Sequence, residues 1–333
     1  MQNGNYGKIM LGVGGLYTVR VLSSCNGEKS ELEGSTVNCR ARGAFKHNNV
    51  TLLAGDDVII RPASENDAEI FKGKAKQNEH MTEFVIDELC ERKNSLIRPP
   101  LANLDFIFIT MAAASPAPIL TTVDKLICIA EFNKIEPVIV ITKCELDPKY
   151  ADELAEIYEK SGFTVFKLSA LENIGVEPID EFIRENLTHG KTAAFAGASG
   201  IGKSTLLNRL FPALELSTSE ISRKIERGRH TTRKAELYTL GDELDCGYIA
   251  DTPGFSMLDF ARFDFFEKDD LPTTMREFVP LIEKCRYTKC SHTKEEGCAI
   301  LEAVREGKIS RSRHDSFLEI YDSLKNKHKW DNK

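Results

Sequence analysis

No stretch of this 333-residue chain reaches the apolar length needed to span a membrane. Nor does MQNGNYGKIM, at the amino end, show the basic-then-apolar pattern of a secretory signal. The expected location is therefore the cytoplasm, away from any membrane. A net positive charge is missing as well: the formal value at pH 7 is −7, so bulk composition does not mark a nucleic-acid binder. An even cysteine count is also absent. Nine cysteines cannot all pair, which speaks against a secreted disulfide framework. What remains, 41% apolar and 29% charged residues, is the composition of a soluble globular protein long enough for two or three domains.

Charge is unevenly spread. Residues 285–333 hold 11 Lys and Arg against 8 Asp and Glu. Residues 217–237 gather Arg223, Lys224, Arg227, Arg229, Arg233 and Lys234 against three glutamates. Local basic faces on an acidic chain fit a phosphate-bearing partner, although solvated surface lysines explain either patch taken alone.

The most informative stretch is 192–210, TAAFAGASGIGKSTLLNRL. Gly197-Ala198-Ser199-Gly200-Ile201-Gly202-Lys203-Ser204 matches G-x-x-x-x-G-K-[ST], the phosphate-binding P-loop, and Thr205 follows it. An apolar run at 193–196 enters the loop as a buried strand would. Leu206, Leu207 and Leu210 leave it at helical spacing. Glycines let successive N–H groups turn inward on phosphate oxygens, and a helix N-terminus favours anions. Lys203 can reach the β- and γ-phosphates, and the Ser204 hydroxyl can sit on Mg²⁺.

Before this motif, residues 1–75 read as short strands with turns. Two runs flank the glycines at 12–15, a third spans 35–45, and 50–61 gives a fourth and fifth split at Gly55-Asp56. A further run at 84–88 could close the set into a small β-barrel, which as an OB-type barrel would offer a nucleic-acid face through Arg40, Arg42, Lys46 and His47. Polar residues 62–82 read as an insertion, and 91–103 as the join to the next domain. Strands and helices then alternate: strands at 106–110, 137–142 and 164–170, helices at 120–133, 148–161 and 176–187. This predicts a parallel α/β sheet with its ligand at the carboxyl ends of the strands.

Two such ends bear base-reading chemistry. Thr142-Lys143-Cys144-Glu145 resembles the [NT]-K-x-D guanine motif of GTPases, with glutamate in place of the commoner aspartate. A carboxylate there accepts from both guanine N1–H and the exocyclic amine, a pair adenine cannot present. Ser169-Ala170 resembles the base-contacting Ser-Ala loop of the same enzymes. Past the P-loop, the basic loop RGRHTTR (227–233) offers Thr231 and Thr232 to a metal, as switch threonines do. Strands at 236–240 and 247–251 end in Asp251-Thr252-Pro253-Gly254. Asp251 would hold Mg²⁺ and the Gly254 N–H would sense the γ-phosphate.

The order of these motifs is inverted. Base recognition precedes the P-loop and the switches, and no [NT]-K-x-D follows residue 255. That is a circular permutation. Beyond the switches stands Cys285-x₄-Cys290-x-His292-x₅-Cys298, three thiols and one imidazole within fourteen residues, the donor set of a closed tetrahedral Zn²⁺ site. His47, His80, His189, His314 and His328 stand apart from it and read as surface residues. Phe317, Ile320, Tyr321 and Leu324 form the apolar stripe of a final helix.

With barrel, permuted motifs and Cys₃His cluster in this order, the chain resembles the small ribosomal subunit biogenesis GTPase A (RsgA) family over essentially its whole length. The resemblance implies an OB-fold domain at 1–90, a permuted GTPase domain at 91–259 and a zinc-binding helical domain at 260–333. It implies one structural Zn²⁺, Mg²⁺ with GTP, and a monomer that binds GTP or GDP. Its further implications are binding to the small ribosomal subunit and its rRNA, a part in late maturation, and hydrolysis stimulated by the subunit. Many GTPases order the attacking water with a glutamine after D-x-x-G. Here Phe255 stands there and cannot, and the resemblance suggests His230 for that role. Two other classes compete: an RNA-binding assembly factor gated by GTP with negligible turnover, and a P-loop kinase or ATPase, against which Thr142, Glu145 and Ser169-Ala170 argue.

Overall fold

The computed structural model describes residues 4–65, 67, 84–97, 99–212, 235–251 and 266–325. Most of the 62–82 insertion, His230, Thr231, Thr232 and Gly254 lie outside the described residues, and of Asp251 only the backbone is described. The chain divides into two compact units, and the division falls inside one β-strand.

The first unit holds residues up to 104, 186–194 and the described part of 229–253. Five strands form its barrel: β1 (Asn5–Val13), β2 (Leu16–Ser24), β3 (Thr36–Ala41), β4 (Asp57–Pro62) and β5 (Phe84–Leu89). They close in the order β1-β2-β3-β5-β4-β1, with β3 and β5 parallel and the other pairs antiparallel. This is the five-stranded OB-type closure expected from the short, turn-separated runs. Ile9, Val19, Val21, Cys39, Val58, Ile60 and Ile86 are its fully buried core.

Two predicted strands are shorter or missing. The run 35–45 ends at Ala41, and a short helix, α1 (Gly43–His47), follows. That turn lays Phe45 against the barrel core. Residues 50–54 form no strand; only Ala54 bridges, to Leu101. The cause is local. The Asp56 carboxylate captures the Leu53 N–H at 2.7 Å and the Arg92 guanidinium at 2.6 Å, and Gly55 turns the chain at φ 90°. A Cβ on Gly55 would fall 2.2 Å from the Ala102 carbonyl oxygen, so only glycine fits. The 91–103 join is also more ordered than its sequence pattern suggests. It forms β6 (Ser95–Leu96) and β7 (Leu101–Ala102), and Asn103 Nδ2 donates to Gly55 O at 2.9 Å.

The second unit holds residues 105–185 and the described parts of 195–228 and 254–333. Its parallel strands are β8 (Phe106–Ala112), β9 (Glu136–Thr142) and β10 (Thr164–Lys167), flanked by β11 (Thr192–Gly197), in the order β10-β9-β8-β11. β-Branched and aromatic residues fill these strands, and β8 and β9 are buried along nearly their whole length, as a covered parallel sheet requires. Helices α2 (Leu120–Phe132), α3 (Pro148–Lys160) and α4 (Val176–Asn186) lie between them in sequence, and α5 (Lys203–Leu210) follows β11. Asp147 caps α3 by accepting from the Tyr150 N–H at 3.0 Å, with proline in the first turn. The strand predicted at 164–170 stops at Lys167. Ser169 and Ile174 then exchange backbone hydrogen bonds of 2.8 and 3.0 Å across a turn.

The Cys₃His segment packs in this same unit, followed by α6 (Ala299–Arg305) and α7 (Arg311–Lys325). Phe317 and Ile320 are buried on α7, as the stripe predicts. His314 is not a surface residue, contrary to the sequence reading: it is buried, and its Nε2 lies 2.9 Å from the His292 carbonyl oxygen. Helical spacing from Phe317 turns it inward, where only a main-chain partner makes its burial tolerable.

A buried ionic cluster ties α7 to α2. Arg313 is fully buried and donates to Asp124 at 2.6 Å and to Glu277 at 2.7 Å, while Tyr158 donates to Asp124 at 3.1 Å. Removing one member leaves a buried charge without compensation. Arg313→Ala is expected to lower unfolding stability by about 3–5 kcal/mol, read as a lower urea midpoint; an unchanged midpoint would contradict this role.

Candidate functional site

The phosphate loop joins β11 to α5. Gly200 and Gly202 hold φ of 80° and 94°, a region that side chains disfavour, and Gly202 takes the N-cap position of α5. Gly197 is fixed by close packing, since a Cβ would fall 2.7 Å from Thr110 O. Leu206, Leu207 and Leu210 bury one face of α5, which anchors the loop. Ser199, Gly200, Ser204 and Thr205 are exposed, while Ala198, Gly202 and Lys203 are half-buried.

The tip of β9 is fastened to this loop. Thr142 is buried, and its hydroxyl lies 3.1 Å from Met111 O and 2.5 Å from Ile201 O. Both carbonyls lie within reach of the one hydroxyl proton, so Thr142 ties the tip of β9 to the phosphate loop. Lys143, at φ 57°, donates from Nζ to Gly200 O at 2.7 Å and to Ser115 O at 2.5 Å. Cys144 N–H donates to Leu168 O at 3.3 Å, which brings the Thr142–Glu145 turn against the 168–170 loop. There Ser169 is buried and its hydroxyl accepts from the Glu172 N–H at 3.1 Å, with Ala170 half-buried beside it.

Glu145 completes the tip. Its Oε2 is buried and has no hydrogen-bond partner among the described residues. A buried carboxylate oxygen without a donor is costly unless a ligand supplies one. Thr142, Lys143, Cys144, Glu145, Ser169, Ala170 and the phosphate loop thus share one end of the parallel sheet. Asp251 ends β13 (Tyr248–Asp251), which pairs with β12 (Glu236–Thr239) in the first unit.

Two family models match the chain: "RsgA GTPase" over residues 89–261 and "RsgA N-terminal domain" over residues 6–70. The chain belongs to the RsgA GTPase family. A relative from Agathobacter rectalis, "Small ribosomal subunit biogenesis GTPase RsgA", is 35% identical over 97% of this chain and 99% of its own. One of the same name from Alkaliphilus metalliredigens is 36% identical over 96% and 97%. Among solved structures, YjeQ from Thermotoga maritima is 28% identical with a TM-score of 0.75, covering 98% of this chain and 100% of that one. YloQ, described as a circularly permuted GTPase, is 30% identical with a TM-score of 0.69 over 97% and 96%. The inverted motif order of this RsgA-family chain therefore corresponds to a permuted GTPase fold. No helix among the described residues is long and apolar enough to cross a membrane.

The Cys₃His cluster is a second site. Cys285, Cys290, His292 and Cys298 bring their ligand atoms within 4.8 Å of one another and could hold a metal ion. His292 Nδ1 lies 3.6 Å from Cys285 Sγ and 3.5 Å from Cys298 Sγ, and those two sulfurs are 3.9 Å apart. For bonds of about 2.3 Å to sulfur and about 2.0 Å to nitrogen, a tetrahedron has edges of about 3.8 and about 3.5 Å. The donor set and spacing therefore fit a tetrahedral Zn²⁺. Burial pushes the Cys290 thiol up to about 12 and pulls the His292 imidazole below its usual value. Neutral thiols need a cation to be deprotonated there.

Residue-by-residue reading missed Glu295. Burial would raise its carboxyl, but the Ser291 hydroxyl and the N–H groups of Ser291 and Lys294 outweigh that and hold it at about 2. It also accepts from the Thr293 N–H at 3.0 Å, so one side chain fixes the backbone on both sides of His292. The only sequence signal is a serine four residues before a glutamate. Cys290→Ser is expected to abolish stoichiometric zinc binding, and Glu295→Ala to weaken zinc by about tenfold or more. Chelator competition measures both; wild-type protein that binds no zinc would refute the metal reading.

Proposed function

We propose that this RsgA-family chain is a cytoplasmic GTP hydrolase that binds the small ribosomal subunit and its rRNA and assists late maturation. It would work as a monomer built of three modules, an OB fold at 1–90, a permuted GTPase domain at 91–259 and a zinc-binding domain at 260–333. The observation that supports it most is the joint end of β9 and β11. There the unpartnered carboxylate oxygen of Glu145 stands on the same piece of backbone that Thr142 and Lys143 fasten to the phosphate loop. The relatives' shared name, small ribosomal subunit biogenesis GTPase, supports the partner.

In this reading Glu145 accepts the guanine N1–H and exocyclic amine, and the Lys143 stem lies along the purine. Ser169 and Ala170 line the opposite edge of the base. The side chains of Thr142 and Lys143 occupy carbonyls of the phosphate loop, so its N–H groups serve the β-phosphate. Lys203 offsets charge on the β- and γ-phosphates. Ser204, with Asp251 through water and Thr231 or Thr232, supplies the oxygen donors that a hard cation such as Mg²⁺ prefers. Bound with GTP, Mg²⁺ neutralises charge that develops on the phosphate oxygens. The Gly254 N–H senses the γ-phosphate. His230, the residue the family resemblance suggests, orients the water that attacks it, since the Phe255 side chain offers no hydrogen-bonding group, and the products are GDP and phosphate.

Cys285, Cys290, His292 and Cys298 hold one structural Zn²⁺. Single-turnover hydrolysis with and without purified small subunits tests the reading. Subunits are expected to accelerate wild-type turnover by a factor of about 10² or more, as positioning effects of this kind allow. His230→Ala is expected to lose most of that acceleration and keep its GTP affinity. No acceleration of the wild type would favour the assembly factor with negligible turnover.

A further inference from the structure

The barrel, the β12–β13 hairpin and the first residues of β11 belong to one compact unit. On one side β12 reaches the barrel where Glu236 pairs with Leu11 of β1. On the other, β13 runs parallel to the start of β11, with Tyr248, Ile249 and Ala250 paired to Thr192, Ala193 and Ala194. β11 then enters the phosphate loop. Thr231 and Thr232 precede β12 in sequence, Asp251 ends β13 and Gly254 follows it. Backbone pairing therefore runs from the barrel, through the hairpin bounded by the nucleotide-sensing motifs, to the strand that carries the P-loop.

Side chains of the barrel grip this hairpin at its turn. Arg20 of β2 is 5% exposed, and its Nη2 donates to Glu243 O at 2.9 Å and Asp242 O at 3.2 Å. Beside it Lys8, paired with Asp57 at 2.7 Å, lies 5.6 Å from the ring centroid of the buried Tyr248. The junction is held but not fully satisfied. Arg20 Nε and Tyr248 Oη are buried and have no hydrogen-bond partner among the described residues. Unmade buried hydrogen bonds disfavour the arrangement that contains them. A small shift of the hairpin can therefore exchange which main-chain carbonyls the guanidinium holds.

We propose that Arg20 is a positioning residue that couples the barrel to the nucleotide state through the 242–243 turn. The inference rests on the GTPase reading of the phosphate loop and goes beyond it. When a nucleotide displaces the end of β13, its turn moves with it, and Arg20 passes that displacement to β2. By linkage, a ligand on the barrel biases the hairpin in return.

Hydrogen exchange on the full-length protein, with GDP or a non-hydrolysable GTP analogue bound, tests this. In the wild type, amides of β1 and β2 are expected to differ between the two nucleotides by about threefold or more in exchange rate. In Arg20→Ala the hairpin should still respond and the barrel should not; Arg20→Lys, which keeps a donor, should restore part of the barrel response. An undiminished barrel response in Arg20→Ala would overturn the proposal, as would a wild-type barrel that ignores the nucleotide while the hairpin responds. If Arg20→Ala does not fold, Arg20→Lys decides: a reduced barrel response supports the coupling, and a full one refutes it. Nucleotide binding, measured separately by calorimetry, shows whether the GTPase reading itself has failed.

Discussion

The hydrogen bond from the Thr142 hydroxyl to the Ile201 carbonyl is the contact on which the rest depends. It joins the tip of β9 to the phosphate loop, and Lys143 adds a second tie through Gly200 O. In the permuted order these segments are separated by α3, β10, α4 and β11, so chain continuity does nothing to hold them together. The parallel sheet brings their ends close, and two side chains fix the final spacing. A nucleotide needs that spacing to be rigid, because base and phosphates are one molecule and an error at one end costs contacts at the other.

The same logic explains where the structure tolerates expense. Arg313, Asp124 and Glu277 form a buried ionic group, weak evidence for stability but effective at fixing how α7 meets α2. The Cys₃His segment, in the same unit, gathers donors that could hold a metal, and the Glu295 carboxylate ties the backbone on both sides of His292. Phe278, His292, His314 and Phe317 pack around it, with Phe278 and Phe317 ring centroids 5.1 Å apart.

Much of this was legible in the residues. The P-loop glycines announced their turn because only glycine takes φ near 90° freely, and Leu206, Leu207 and Leu210 announced the helix after it. The buried strands of the sheet were visible as β-branched runs. Less visible was anything decided by a distant partner. Residues 50–54 have strand composition, yet Asp56 and Arg92 bend them away. His314 has no sequence mark of burial; the Phe317 face and a main-chain acceptor put it inside. Arg20 looked like one more strand residue until its carbonyl partners lay 222 and 223 positions along the chain. Long-range polar contacts leave no periodicity to read.

Calorimetric titration of the full-length protein with GDP, ADP and inosine diphosphate most directly tests whether Glu145 and the phosphate loop form one guanine nucleotide site. A carboxylate accepting two base donors predicts that GDP binds tightest. Inosine diphosphate, which lacks the exocyclic amine, should be weaker by about tenfold, and ADP, which lacks both donors, weaker still. Equal affinity for GDP and ADP would contradict it.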